Sequence, residues 1–253
     1  MRIKVFFTLV CAVVLYAVPC YGKGKQEQTT NVQAGVLKFT GVSGKFSSRE
    51  ESIHAALKDA ARRLSFFNSV SGYSVIQEQS GGGTFDFYVN SDYWLSYDDE
   101  LEKYLEQLVF DPVTNVFENN NAIFVTAYIR SDVPMPLFLG HSFEKERPRW
   151  VDTPPEEIEG FIVGIGFSSR LSSHGDTVVK SYENAVIGII KNMNTRIMEE
   201  QQIYRNNTSV FGFYLDSSSE TSSTGELKNF YIIESWTDPK NLSVWTLAVA
   251  KRM

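Results

Sequence analysis

The chain has 253 residues, 43% hydrophobic and 21% charged, with a net charge of −6 and a pI near 5.2. That length and apolar content suffice for one large core or two of ordinary size. The acidic balance argues against binding a phosphate backbone, which needs a basic face that releases counterions, so no nucleic acid is expected as a partner.

Arg2 and Lys4 precede an apolar run from Val5 to Val18, followed by Pro19-Cys20-Tyr21-Gly22-Lys23. This is the layout of a secretory signal peptide, and the run is too short to cross a hydrocarbon core of ~30 Å. Residues 1–22 are therefore expected to be a signal peptide and residues 23–34 a polar spacer. Both cysteines, Cys11 and Cys20, fall in the leader, so the body after it has no thiol for a disulfide or a thiolate metal site. Cys20 is also a candidate lipidation site, because bacterial lipoproteins are cleaved and acylated at a cysteine that follows an apolar segment. In Ala17-Val18-Pro19-Cys20, proline stands directly before the cysteine and alanine where a lipobox usually has leucine. Plain cleavage near Gly22 is the alternative. Either route exports the protein to the periplasm or outer envelope, with membrane contact only through an N-terminal lipid anchor.

Val36 to Val42 reads as a strand, and Ser48 with Glu51 forms a capping box that opens a helix. Ile53, Leu57, Ala60 or Ala61, Leu64 and Phe67 supply its apolar stripe, and Gly72 is a natural stop. Two extended runs, Tyr73 to Gln77 and Thr84 to Asn90, flank Ser80-Gly81-Gly82-Gly83. Asp98 to Leu108 has the pattern of a short helix, and two strands finish the half.

Pro134, Pro136, Pro148, Pro154 and Pro155 mark a linker, part of which is expected to pack as an irregular arm. Phe161 to Gly166 reads as a strand, with Asp176 as the cap of a long helix running to about Glu200. Val179, Tyr182, Val186, Ile189, Met193 and Ile197 line one side of it. A strand from Thr208 to Leu215 is expected next, then a mobile loop over the serine- and threonine-rich tract Asp216 to Gly225. Phe230 to Trp236 and Ser243 to Ala250 close the chain as a strand pair across Asp238-Pro239-Lys240-Asn241.

The order repeats. Gly41-Val42-Ser43-Gly44 and Gly164-Ile165-Gly166 each end an apolar run before a helix, and Ala122 to Arg130 matches Ser243 to Lys251. The fold class is therefore α+β, as two related domains, each a mainly antiparallel sheet with one long helix packed on one face. The expected boundaries are 35–133 and 158–253, with the proline-rich linker at 134–157. The last strand is apolar on both sides, as for a strand covered on both faces.

Gly41 to Phe46 lacks Walker spacing, and Ser169 stands where a dinucleotide fingerprint needs its third glycine. Glycines that let a strand pass close to a helix are the better account. His54, His141 and His174 form no metal motif, no G-x-S-x-G elbow occurs, and neither acidic group, Asp98 to Glu102 or Glu156 to Glu159, has calcium-loop spacing. No catalytic residue, metal ligand or cofactor is assigned. Aromatic residues concentrate in or beside the strands. Core packing is one account, and the other makes Tyr88, Trp94, Phe124, Tyr128 and Trp245 a candidate partner interface, where such residues are enriched.

Through Gly164-Ile165-Gly166 before a helix and the terminal Val244-Trp245-Thr246-Leu247-Ala248-Val249, the chain resembles bacterial envelope lipoproteins of the LPP type. It is similar through the same pieces to the N-terminal domain of the flagellar assembly protein T family. The resemblance implies a noncatalytic structural role and flagellar association. The sequence thus leads to an exported envelope protein, a binding or scaffold module whose partner is another envelope protein. The alternatives are an exported hydrolase with carboxylates in an interdomain cleft and a carrier of a small apolar ligand between sheet and helix.

Overall fold

The computed structural model of the chain describes residues 33–80, 87–119, 122–205 and 219–251. The leader with Cys20 and the expected strand Thr208 to Leu215 lie outside the described residues. In chain order the elements are β1 (Gln33–Gly44), α1 (Arg49–Asn68), β2 (Val70–Ser80), β3 (Phe87–Tyr97), α2 (Glu102–Leu105), β4 (Val116–Asn119) and β5 (Ala122–Met135). There follow β6 (Gly140–Ser142), α3 (Arg149–Asp152), β7 (Glu157–Ile158), β8 (Phe161–Ser168), α4 (His174–Arg205), β9 (Ser219–Thr237) and β10 (Val244–Lys251).

The fold is α+β, with mainly antiparallel sheets and long helices packed on them. The smaller sheet runs β1-β5-β4, and the larger runs β3-β2-β9-β10-β8-β7, with β6 added in parallel to β9. Each half contains the same unit: a first strand, a long helix across it, and a last strand paired antiparallel to the first, as β1 with β5 and β8 with β10. Glycine makes the crossing close. A Cβ on Gly41 would lie 1.9 Å from the Ala56 carbonyl oxygen, and one on Gly166 would lie 1.8 Å from that of Ser181. Only a residue without a side chain fits at either place.

The two crossings lie 125 positions apart, and the polar contacts around them recur at that same interval. Ser48 Oγ accepts the Glu51 N–H, while Ser52 Oγ accepts the Phe46 N–H and donates to the Ser48 carbonyl. Ser173 Oγ accepts the Asp176 N–H, while Thr177 Oγ1 accepts the Leu171 N–H and donates to the Ser173 carbonyl. Asp59 Oδ2 accepts the Val42 N–H at 3.1 Å, and its counterpart Asn184 donates Nδ2 to the Phe167 carbonyl at 2.6 Å. The cap of α4 is therefore Ser173. Asp176 sits within the first turn, where its charge suits the helix dipole but its side chain is not the cap.

The larger sheet crosses between the halves, because β2 pairs antiparallel with β9 from Val70↔Leu227 to Glu78↔Ser219. This corrects the loop expected over Asp216 to Gly225. From Ser219 onward the tract is strand, since β2 supplies a hydrogen-bonding partner and Ser and Thr tolerate extended backbone well. The proline-rich segment packs as an arm: Leu139 N–H donates to the Ile233 carbonyl at 2.8 Å, β6 joins β9, and Trp150 and Val151 of α3 are buried.

Both halves share their core. Leu37 and Phe39 of β1 and Leu64 of α1 lie in one cluster with Tyr231 and Ile233 of β9 and Leu247 and Val249 of β10. Ala248 and Ala250, on the opposite face of β10, join Val186, Ile189 and Ile190 of α4. The last strand is thus covered on both faces.

Candidate functional site

The β2–β3 ribbon presents two different faces. Its register pairs Gly72 with Leu95, Tyr73 with Trp94 and Ser74 with Tyr93, and successive pairs alternate in direction. Gly72 turns toward α4, where a Cβ would come 2.5 Å from Ile190 Cδ1. Tyr93, on the same side, donates its hydroxyl to Glu183 Oε2 at 2.9 Å, and Lys180 Nζ lies 4.0 Å from the centre of its ring. Burial, then the neighbouring Glu183 carboxylate, holds the Tyr93 phenol well above its usual value.

Tyr73 and Trp94 point away from α4. Their rings stack 5.4 Å apart at 26°, with Trp94 60% exposed and Tyr73 39% exposed. A paired ring platform on a hydrogen-bonded ribbon is a rigid amphipathic surface that costs little rotamer entropy on binding. It suits recognition.

A second polar cluster lies inside the molecule. His141 of β6 and His174 at the start of α4 face each other across Thr237 at the end of β9, with ring centres 6.2 Å apart. Thr237 Oγ1 is 2.8 Å from His141 Nε2 and 3.4 Å from His174 Nε2, while both Nδ1 atoms are buried without a partner. Phe124 and Phe143 pack against both imidazoles. Burial pushes the His141 imidazole down to about 3, with His174 a smaller influence, and burial also lowers His174. Both rings are therefore neutral at pH 7. A cavity of about 130 Å³ adjoins His174, lined also by Arg170, Ser173 and Leu242.

The third cluster is an ion pair in the core. Arg63 Nη2 donates to Asp59 Oδ1 at 2.6 Å, and its guanidinium lies 4.6 Å from the Tyr182 ring centre and 5.3 Å from that of Phe66. Arg63 Nε and Nη1 have no partner, and the adjoining cavity of about 10 Å³ holds at most one water. Burial, the largest influence, pushes the Tyr182 phenol up to about 12. The carboxylates near the core are dispersed: Asp59 is held by Arg63, Glu234 by the Trp150 indole N–H at 2.8 Å, and Glu183 by Tyr93. Among the described residues, no group of three or more His, Cys, Asp or Glu is arranged to hold a metal ion.

The candidate interface residues do not share one surface. Trp94 is exposed on β3, and Tyr88 occupies the same strand opposite Gln79 in β2, its side chain outside the described residues. Phe124 is buried beside the two histidines. Tyr128 is half-buried on β5, where its backbone pairs with Val109. Trp245 is half-buried on β10, with Phe167 at 4.5 Å and the Arg147 guanidinium at 5.2 Å from its ring centre. Tyr73 was missed as Trp94's partner because the register, set by the sheet, is invisible in either segment alone. The histidine pair was missed because its members are 33 residues apart on different elements, and no local pattern joins them. Comparison with protein-family models, with curated proteins and with solved structures found no match to this chain.

Proposed function

We propose that the chain is an exported bacterial envelope protein acting as a noncatalytic binding or scaffold module, released after Gly22 or anchored by lipid at Cys20. The observation that carries this reading is the Tyr73–Trp94 ring stack, exposed on the β2–β3 ribbon. Large rings held rigidly in solvent are the usual anchors of a protein interface. Supporting it, the carboxylates near the core are each held by a neighbouring side chain, as Asp59 by Arg63 and Glu234 by Trp150. The cavities at Arg63 and His174, about 10 and 130 Å³, are well below the ~300–1,000 Å³ of small-molecule sites.

The test is expression with the native leader in a bacterial host, intact-mass measurement of the processed chain, and photocrosslinking from position 94 against exposed position 54 on α1. The reading expects a mature N-terminus at Lys23 or an acylated Cys20, together with specific protein adducts from position 94. An unprocessed chain retained in the cytoplasm, or equal adducts from both positions, would overturn it.

A further inference from the structure

We propose that the outer edge of β3 is the contact between two copies of this chain, joined antiparallel so that the larger sheet continues from one molecule into the next. The proposal rests on the binding-module reading and names its partner.

The other sheet edges are closed. On β1, the Val42 N–H is taken by the buried Asp59 carboxylate at 3.1 Å and the Lys38 N–H by the Tyr231 hydroxyl at 3.2 Å. On β8, the Phe167 and Val163 carbonyls accept from the Asn184 and Asn192 side-chain amides at 2.6 and 2.9 Å, and β7 covers the strand's start. β6 lies along β9. β4 is four residues long, and its Glu118 pairs with Arg49 and Lys45. These are the ordinary devices that keep a strand edge from pairing with another chain. β3 is different: among the described residues it is the terminal strand of the sheet, and it is eleven residues long, with no Lys, Arg, Glu or Pro. An edge of that length and composition is a template for another strand.

A second β3 is the occupant that fits. Two antiparallel copies related by a two-fold axis need no chemistry beyond what this strand already has. The only charged residue in β3, Asp92, sets the register. Full overlap would put the axis at Asp92 and set two acidic residues at facing register positions, which is unfavourable. Moving the axis to Trp94 sets Asp92 against Ser96 of the second copy and pairs seven residues, Ser91 to Tyr97, on each side. The two indoles then meet at the axis, and the ring stack extends as Tyr73, Trp94, Trp94, Tyr73 across the junction. On the opposite face, Lys180 and Glu183 flank Tyr93 near the edge, so each copy offers one cation and one anion to its mate. Such an arrangement is self-complementary in charge despite the net −6 of each chain.

The test uses the processed chain in sedimentation velocity from about 1 to 200 µM, with Trp94→Lys and Ser96→Lys as variants. Both positions are exposed, and retained folding is checked by thermal melting. A concentration-dependent dimer is expected, weakened at least tenfold by either lysine. In the chain beginning at Lys23, which has no cysteine of its own, Trp94→Cys should give a disulfide-linked dimer on mild oxidation, and Asn90→Cys, away from the axis, should not. A chain that stays monomeric at 200 µM, or a dimer indifferent to both lysines, overturns the proposal. If the monomer still forms adducts with a different envelope protein from position 94, the edge contact between copies falls while the binding-module reading stands.

Discussion

Acid should loosen the junction around His141, His174 and Thr237 as the pH falls below about 6.5. The folded protein holds His141 near 3, against about 6.5 in an unfolded chain, so folding favours the neutral imidazole. A group depressed in the folded state binds fewer protons there than in the unfolded state, so stability falls as pH drops through 6.5. Between pH 7.5 and 5.0 that difference amounts to about 2 kcal/mol from His141 alone, a sizeable share of a typical net stability of ~5–15 kcal/mol. His174 acts in the same sense, and its protonation would put a positive charge at the positive end of α4. The other charged group at the adjoining cavity, Arg170, adds repulsion. Asp98, Asp111 and Glu50, all held below their usual values, lose their contribution only at lower pH. The assay is urea unfolding at pH 7.5, 6.5 and 5.0 for the native chain and the His141→Gln/His174→Gln variant. A variant whose stability falls as steeply as the native chain across that window would refute the reasoning.

Gly166→Ala should cost about 3 kcal/mol, because its methyl group would overlap the Ser181 carbonyl, whereas Gly44→Ala, which meets nothing within 4 Å, should stay within about 0.5 kcal/mol in the same melt. Asp59→Asn keeps an acceptor for Val42 but strips Arg63 of its counter-charge in the core, and chemical denaturation should show a loss of about 3–5 kcal/mol. Trp150→Phe retains most of the apolar volume while removing the indole N–H that donates to the part-buried Glu234 carboxyl. An unfolding titration should register a loss of about 1–3 kcal/mol.

The strand–helix units were legible because their signals are local. Ser48 and Glu51 announce one helix start, and Gly164-Ile165-Gly166 announces a close crossing, since the residue types and the geometry belong to the same few positions. The α4 cap was misread because Ser173 and Asp176 both have capping side chains three residues apart, and only the backbone decides which one is used. The tract from Ser219 failed for another reason. Its composition says loop, and what makes it strand is β2, a partner about 150 residues earlier that no window of sequence contains. The candidate surface shared this fate: Trp94 could be picked out as a large ring in a strand, but its stacking on Tyr73 and its exposure depend on pairing and on where α4 lies.

That long-range pairing also sets a timetable. Val70 of β2 meets Leu227 of β9, 157 positions further along, so β2 is synthesised long before the strand that completes its sheet. Until then the β2–β3 ribbon has an open edge on both sides, a state that invites aggregation and slows folding. The larger sheet cannot close until nearly all of the polypeptide has been made. Cutting the chain before Ser219 should therefore leave the inner edge of the ribbon without the strand that completes its sheet.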